Sequence, residues 1–178
     1  VGVIDKKNLF DPLKISRGDV LLGVASSGLH TNGFNLARKV LFDRAGHKAA
    51  DYSEDLGCTF GDALLVPHKS YSKSILTMRE KLKVKGVAHI TGGGLVENVP
   101  RIMPPKLHAC FNYSSIPFPP LFKLIQRLGH ISNDEMFRTF NVGIGIVIVV
   151  ARKDMKKAIE FLAKRGERAW QIGEVGSK

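Results

Sequence analysis

Apolar residues along this chain fall into short runs separated by polar or glycine-rich segments. An unbroken apolar run bounded by turn residues is typical of a buried β-strand. On this basis we predict strands over residues 1–4, 20–25, 87–91, 107–112, 142–150 and 169–175. The run 142–150 is long and rich in β-branched residues, which favours the central position in a sheet.

Other segments repeat their apolar residues at helical spacing. These predict helices over residues 34–44, 70–82, 121–128, 133–137 and 154–165. Gly46 and Gly166 stand where the first and last of these helices should end. Residues 47–62 show no period and are predicted to be a loop, and Pro100 limits any helix that follows residues 92–94.

Strands and helices alternate, but several connections are irregular, which favours an α+β sandwich over a doubly wound sheet. A length of 178 residues is enough for one domain with a substantial core. No apolar run approaches the roughly 18 residues that a membrane helix needs. The first residues resemble a strand entered mid-chain, so we expect the natural protein to begin before Val1.

The chain carries 27 basic and 16 acidic residues, a net charge of +11 that favours anionic partners. Nucleic acid and a phosphorylated metabolite are both candidates, but the basic residues are dispersed and accompany no nucleic-acid-binding signature, which disfavours nucleic acid. Cys58 and Cys110 stand far apart, which predicts free thiols in a reducing compartment. Two isolated cysteines and six dispersed histidines predict no metal site.

The segment Ala88-His89-Ile90-Thr91-Gly92-Gly93-Gly94-Leu95-Val96-Glu97-Asn98 is the most informative in the chain. Glycines allow close approach of a ligand to the backbone, and a helix start offers free N–H groups to an anion. A tight turn that only reverses the chain explains the same residues equally well. A histidine at such a strand position, as His89 is, is more often structural than catalytic. Glu97 and Asn98 either face a ligand or lie on a solvated helix face.

The loop at residues 26–33 is rich in hydroxyls and backbone donors. It has the glycine spacing of an ATP-binding P-loop, but Leu29 and His30 replace the required Lys and Ser/Thr, so that interpretation fails. Ser27 lacks the G-x-S-x-G setting of a nucleophile elbow. Thr31 or Asn32 could simply cap the following helix, while His30 could donate a hydrogen bond or a proton to an anion. Gly143 and Gly145 do not continue into a dinucleotide-binding pattern, because Ile148 stands where its last glycine belongs.

Taken in order, three segments carry a family resemblance. They are residues 18–33, residues 88–101 and the stretch Asn133-Asp134-Glu135-Met136-Phe137-Arg138-Thr139-Phe140-Asn141-Val142-Gly143-Ile144-Gly145, and residues 169–173 fit as well. Together they resemble the carboxy-terminal domain of the phosphoribosylformylglycinamidine cyclo-ligases, also called aminoimidazole ribonucleotide synthetases. The resemblance covers nearly the whole chain.

This resemblance implies a three-layer α+β sandwich of a mixed sheet with flanking helices, partly ferredoxin-like, in which residues 1–178 are a single C-terminal domain. It implies a cytoplasmic step of purine biosynthesis, in which ATP activates the formyl oxygen of formylglycinamidine ribonucleotide and an amidine nitrogen closes the imidazole ring. An N-terminal domain that forms the homodimer and holds most of the ATP and Mg²⁺ is absent here. The fragment is then expected to supply one wall of the substrate cleft and to be inactive alone, without contact to nucleic acid or membrane.

The resemblance also implies roles for particular residues. Gly92, Gly93 and Gly94 would hold the substrate phosphate, and His30 would act on the reacting amide with Ser27 and Asn32. Three further substrate-binding residues are implied, namely His89, Glu97 and Asn141. A stand-alone module that binds a phosphorylated ligand or a protein partner is the alternative function.

Overall fold

A computed structural model describes residues 3–177, and within them a five-stranded sheet forms the centre of the fold. Numbered along the chain, the strands are β1 (Val20–Ala25), β2 (Tyr52–Ser53), β3 (Cys58–Thr59), β4 (Val84–His89), β5 (Leu107–Phe111), β6 (Ile144–Val150) and β7 (Ala169–Ser177). The main sheet has the order β4-β6-β1-β7-β5, while β2 and β3 form a separate small hairpin.

Seven α-helices surround the sheet in the described part of the chain. They are α1 (Phe34–Arg38), α2 (Phe60–Leu65), α3 (Ser72–Lys81), α4 (Gly94–Asn98), α5 (Pro120–Gly129), α6 (Asn133–Thr139) and α7 (Met155–Ala163). A π-helical segment, Lys39–Arg44, continues α1. Short 3₁₀ turns lie at Lys6–Asn8, Pro12–Lys14, Pro100–Ile102, Tyr113–Ser115 and Arg152–Asp154.

The helices lie on both faces of the sheet and so make three layers. One apolar cluster joins Val20, Leu22 and Val24 of β1 to Met78 of α3 and Leu162 of α7. The larger cluster, on the opposite face, joins the alternate strand residues to α1, α2, α4, α5 and α6. Because both faces are covered, β1 and β6 are buried along their whole length, which explains their unbroken apolar sequence.

The α+β class and the three layers are confirmed, but the expectation of a mixed sheet is wrong. Every neighbouring pair in the main sheet is antiparallel. The reason is the split β-α-β connection of the ferredoxin-like pattern, in which β6 inserts between β1 and β4. These two strands run in the same direction but never pair with each other.

Several element predictions need correction. The central strand is β1, and the longer apolar run of β6 lies beside it. Residues 47–62, predicted to be a loop, contain the β2–β3 hairpin and the start of α2. Of the predicted strand at residues 1–4, the first two lie outside the described residues, and Val3 and Ile4 belong to no strand.

The other predicted elements are present with bounds that differ by a few residues. No helix within residues 3–177 is long and apolar enough to cross a membrane.

Candidate functional site

The two loops singled out by the sequence meet at one edge of the sheet. Both β1 and β4 run antiparallel to β6, so their carboxyl ends lie together beside the beginning of that strand. The loop 26–33 leaves β1 there, and the glycine triplet 92–94 follows β4. Asn32 Oδ1 lies only 3.4 Å from the position that a Cβ on Gly92 would occupy, so the loops adjoin.

The loop 26–33 is fixed by its own side chains. His30 adopts a left-handed backbone conformation with φ +60°, which turns its ring back over the loop. The Ser27 N–H donates to His30 Nε2 over 3.1 Å, and the Ser27 hydroxyl donates to the carbonyl of Pro67 over 2.7 Å. The imidazole is therefore an acceptor at Nε2 and carries its proton on Nδ1.

Asn141 holds this loop from the far side. Its side chain is 2% exposed, and its amide nitrogen donates to the carbonyls of Gly28 and Leu29 at 2.9 and 3.1 Å. Its Oδ1 accepts from the Ser26 hydroxyl and from the Gly143 N–H. The whole hydrogen-bonding capacity of the amide is used inside the protein, so the side chain positions the loop and has no group left for a substrate.

Three imidazoles converge beside the loop. His68 precedes α3, His89 ends β4, and their Nε2 atoms lie 3.0 Å apart at hydrogen-bonding distance. The ring of His68 also lies against the ring of His30, with centroids 4.0 Å apart. The expectation of no metal site rested on the dispersal of histidines along the sequence, whereas the fold gathers three of the six.

Burial and neighbouring positive charge control the protonation of this cluster. Burial lowers the pKa of His30 to about 4, with added repulsion from His68, His89 and Lys69. Burial and the neighbouring His68 also lower the pKa of His89. At neutral pH both rings are therefore uncharged, and His30 acts as a neutral hydrogen-bonding group.

Tyr71 and Gly145 complete the floor of the cluster. The Tyr71 hydroxyl donates to the carbonyl of Ala25 over 2.7 Å, and burial raises the pKa of this phenol. A Cβ on Gly145 would overlap the Tyr71 hydroxyl and lie 2.6 Å from His30 Cε1. Glycine at this position of β6 is thus required for both rings to lie on the strand.

The glycine triplet exposes two backbone donors. Within residues 3–177 the N–H groups of Gly92 and Gly93 make no hydrogen bond, whereas the N–H of Gly94 donates to the carbonyl of Thr91. Gly94 is buried, and any side chain there would overlap the backbone carbonyl of Phe137 in α6. Gly92 and Gly93 are the members of the triplet that can reach a ligand.

Asn98 and Glu97 follow the triplet with different roles. Asn98 is buried, and its amide nitrogen donates to the carbonyls of Thr91, Gly92 and Gly94, which fixes the turn. Asn98 therefore neither contacts a ligand nor lies on a solvated helix face, which were the two alternatives predicted for it. Glu97 is exposed, and its carboxylate lies against Gly93.

The fold thus brings Ser27, His30, Asn32, His89 and Gly92 to one edge of the sheet, with Asn141 behind them. Sequence reasoning missed His68 and Tyr71. Nothing in the local pattern identified His68, because its place depends on the contact between Ser27 and Pro67. From the sequence, Tyr71 was identified only as an apolar residue of the helix predicted over residues 70–82.

Comparison with known proteins decides the family. Residues 16–178 match the model of the AIR synthase related protein, C-terminal domain. The chain belongs to this family. The match includes both loops of the site and the strands that carry them.

Among curated proteins, the chain is 49% identical over 175 residues to the phosphoribosylformylglycinamidine cyclo-ligase of Thermoanaerobacter sp. (strain X514). It is 45% identical over 175 residues to the enzyme of the same name from Alkaliphilus oremlandii. These alignments cover 98% of the chain but only 52% and 51% of the two relatives. The chain therefore spans about half the length of the curated relatives it matches.

Solved structures agree on the fold. The hydrogenase maturation protein HypE of E. coli matches 99% of this chain with a TM-score of 0.65 at 21% identity, and 49% of HypE is covered. T. maritima PurL, solved with AMPPCP, matches 99% of this chain with a TM-score of 0.53 at 17% identity, and 24% of PurL is covered. A further HypE structure, with a TM-score of 0.61 at 16% identity over 94% of this chain and 45% of that one, contains ATP.

Proposed function

We propose that this chain is the C-terminal half of a phosphoribosylformylglycinamidine cyclo-ligase and supplies one wall of its substrate cleft. The observation that carries the proposal is the meeting of the loop 26–33 with the free amides of Gly92 and Gly93 at one edge of the sheet. The similarity to curated cyclo-ligases over 98% of the chain supports the same conclusion.

In this proposal the substrate phosphate binds the N–H groups of Gly92 and Gly93. Backbone amides suit a phosphate because they donate without carrying a charge that must be desolvated. Gly94 contributes by letting α4 pack against α6, and Asn98 holds the turn open. Glu97, at the rim of the triplet, accepts hydrogen bonds from the ribose hydroxyls.

The reacting amide lies beside His30. The neutral imidazole, held by the Ser27 N–H, packs beside the formyl oxygen or its phosphate ester and so orients it. Asn32 and His89 contact the substrate on either side, and Asn141 keeps the loop in place. Ring closure then joins the amidine nitrogen to the activated carbon and releases phosphate, while the transfer from ATP has already released ADP.

ATP and Mg²⁺ are assigned to an N-terminal half that completes a homodimeric, cytoplasmic enzyme. The groups described at the cleft wall are imidazoles and the carboxylate of Glu97, a donor set that does not suit Mg²⁺, which prefers several oxygen ligands. No step is therefore attributed to Mg²⁺ on this half, which is expected to be inactive alone.

Reconstitution tests the proposal. The chain is mixed with a separately produced N-terminal half of the Thermoanaerobacter enzyme, and formation of aminoimidazole ribonucleotide and ADP is followed. We expect ring closure only with both halves present and a loss of about a hundredfold in turnover with His30→Asn, because the reacting amide is no longer held in place. Asn tolerates the left-handed backbone at this position, so the variant removes the imidazole without forcing the loop.

His130→Asn is the matched control, because His130 also has a left-handed backbone, with φ +48°, but lies at the end of α5. Full turnover with His30→Asn would refute the role of His30. If the halves associate but give no product, while calorimetry shows the chain binding unrelated phosphates equally well, the chain is instead a stand-alone binding module.

A further inference from the structure

Three imidazole rings converge in the cluster of His30, His68 and His89, whereas an orienting role for His30 requires only one of them. We propose that these three residues form a site for a divalent transition-metal ion of the kind that imidazole prefers, such as Zn²⁺. The inference rests on the arrangement of the three rings and not on the proposed reaction.

The rings are already close to the required geometry. One ligating nitrogen from each residue lies within 4.8 Å of the other two, and the Nε2 atoms of His68 and His89 are 3.0 Å apart. A tetrahedral Zn²⁺ with Zn–N bonds near 2.0–2.1 Å places its ligand nitrogens about 3.3 Å apart. His68 and His89 are exposed, so their rings have room to adjust towards that spacing.

His30 has the properties of an anchoring ligand. Its side chain is 6% exposed, and its Nδ1 has no hydrogen-bond partner among residues 3–177. A buried polar atom without a hydrogen-bond partner is destabilising, and coordination of a metal would relieve this cost. When Nδ1 binds a metal, the proton moves to Nε2, which then donates to the Ser27 hydroxyl oxygen 3.2 Å away, and the Ser27 N–H gives up its hydrogen bond to this nitrogen.

The surroundings tolerate a cation despite the high net charge of the chain. The nearby Lys69 is paired with the buried carboxylate of Glu167 at 2.5 Å, which reduces its repulsion of an ion at the cluster. Three imidazole ligands from a single chain leave one tetrahedral position open to solvent on the exposed side of His68 and His89. Such a nitrogen-rich site discriminates against Mg²⁺, whose preferred ligands are oxygens.

Metal titration of the purified 178-residue chain tests the proposal. After treatment with a chelator, the chain is titrated with Zn²⁺ by calorimetry and with Co²⁺ by visible absorption. We expect one ion per chain, a tetrahedral Co²⁺ spectrum, and displacement of Co²⁺ by Zn²⁺ but not by Mg²⁺. Both readouts are independent of enzymatic activity, so failure of the proposed ring closure would leave this result unchanged.

Variants locate the ion. His68→Asn and His89→Asn should each weaken Zn²⁺ binding by at least about tenfold, because even the loss of an outer-shell partner typically has that effect. His130→Asn, at the end of α5, should bind Zn²⁺ as the unchanged chain does. Circular dichroism confirms that each variant is folded, and the exposed positions of His68 and His89 make this the expected result.

Three outcomes would overturn the proposal: no saturable binding, an octahedral Co²⁺ spectrum, or equal affinities in His68→Asn, His89→Asn and His130→Asn. Any of these would mean that the three rings form only a stacked, hydrogen-bonded cluster.

Discussion

Replacement of Asn141 by alanine should destabilise the fold more than any other single polar substitution at the site. The change removes four hydrogen bonds, two donated to the carbonyls of Gly28 and Leu29 and two accepted from Ser26 and Gly143. At about 1 kcal/mol for each bond, the expected loss is about 4 kcal/mol. This is a large share of the 5–15 kcal/mol that stabilises a typical domain.

Urea denaturation followed by far-ultraviolet circular dichroism measures this loss directly. Asn133→Ala is the control, because Asn133 accepts one hydrogen bond from Gln126 at the surface and should lose less than about 1 kcal/mol. Asn141→Asp should also destabilise, since a carboxylate cannot donate to the Gly28 and Leu29 carbonyls. If Asn141→Ala costs no more than the surface control, the amide does not hold the loop and the positioning role is wrong.

Three further predictions concern buried groups. Gly145→Ala should lower the free energy of unfolding, measured by heat or denaturant, by about 1–3 kcal/mol, because the new methyl group displaces Tyr71 and His30. An unchanged free energy of unfolding would contradict the close packing at this position. The pKa of His30 is about 4 in the folded protein and near 6.5 in the unfolded chain. The free energy of unfolding should therefore be highest above pH 6.5 and should fall by up to about 3 kcal/mol towards pH 4, because the unfolded chain binds the proton first. His30→Gln should remove this part of the pH profile. Lys85→Met should lower the free energy of unfolding by about 3–5 kcal/mol, because it leaves the buried carboxylate of Asp19 without its partner 2.6 Å away. Adding Asp19→Asn should restore part of this loss, and a double-mutant cycle measures the coupling.

The sequence was most informative where burial on both faces produced continuous apolar runs. β1 and β6 lie within their predicted segments for this reason. The helix α2 was missed although a start signal was present: the Thr59 side chain accepts from the N–H of Asp62, the S/T-x-x-D pattern of a capped helix. The few apolar residues around this capping pattern were not enough to show a helical period.

The candidate site could be predicted only in part from the sequence, and the reason is different. Local patterns identified the loop around His30 and the triplet around Gly93, because backbone requirements and small residues are visible in a short window. The partners that fix these loops are distant in sequence: Asn141 acts on residues more than a hundred positions away, and His68 reaches His30 only through a tertiary contact. No local window contains that information.

The position of β1 at the middle of the sheet has a consequence for biosynthesis. Although β1 precedes them, both strands that pair with it, β6 and β7, are synthesised more than a hundred residues later, as is Asn141. The His30 loop thus has no lasting support until these later residues have been synthesised, and contacts of such long range close slowly. We therefore expect nascent chains that end before Asn141 to leave this loop open to proteases, and this edge of the sheet to be among the last parts of the fold to mature.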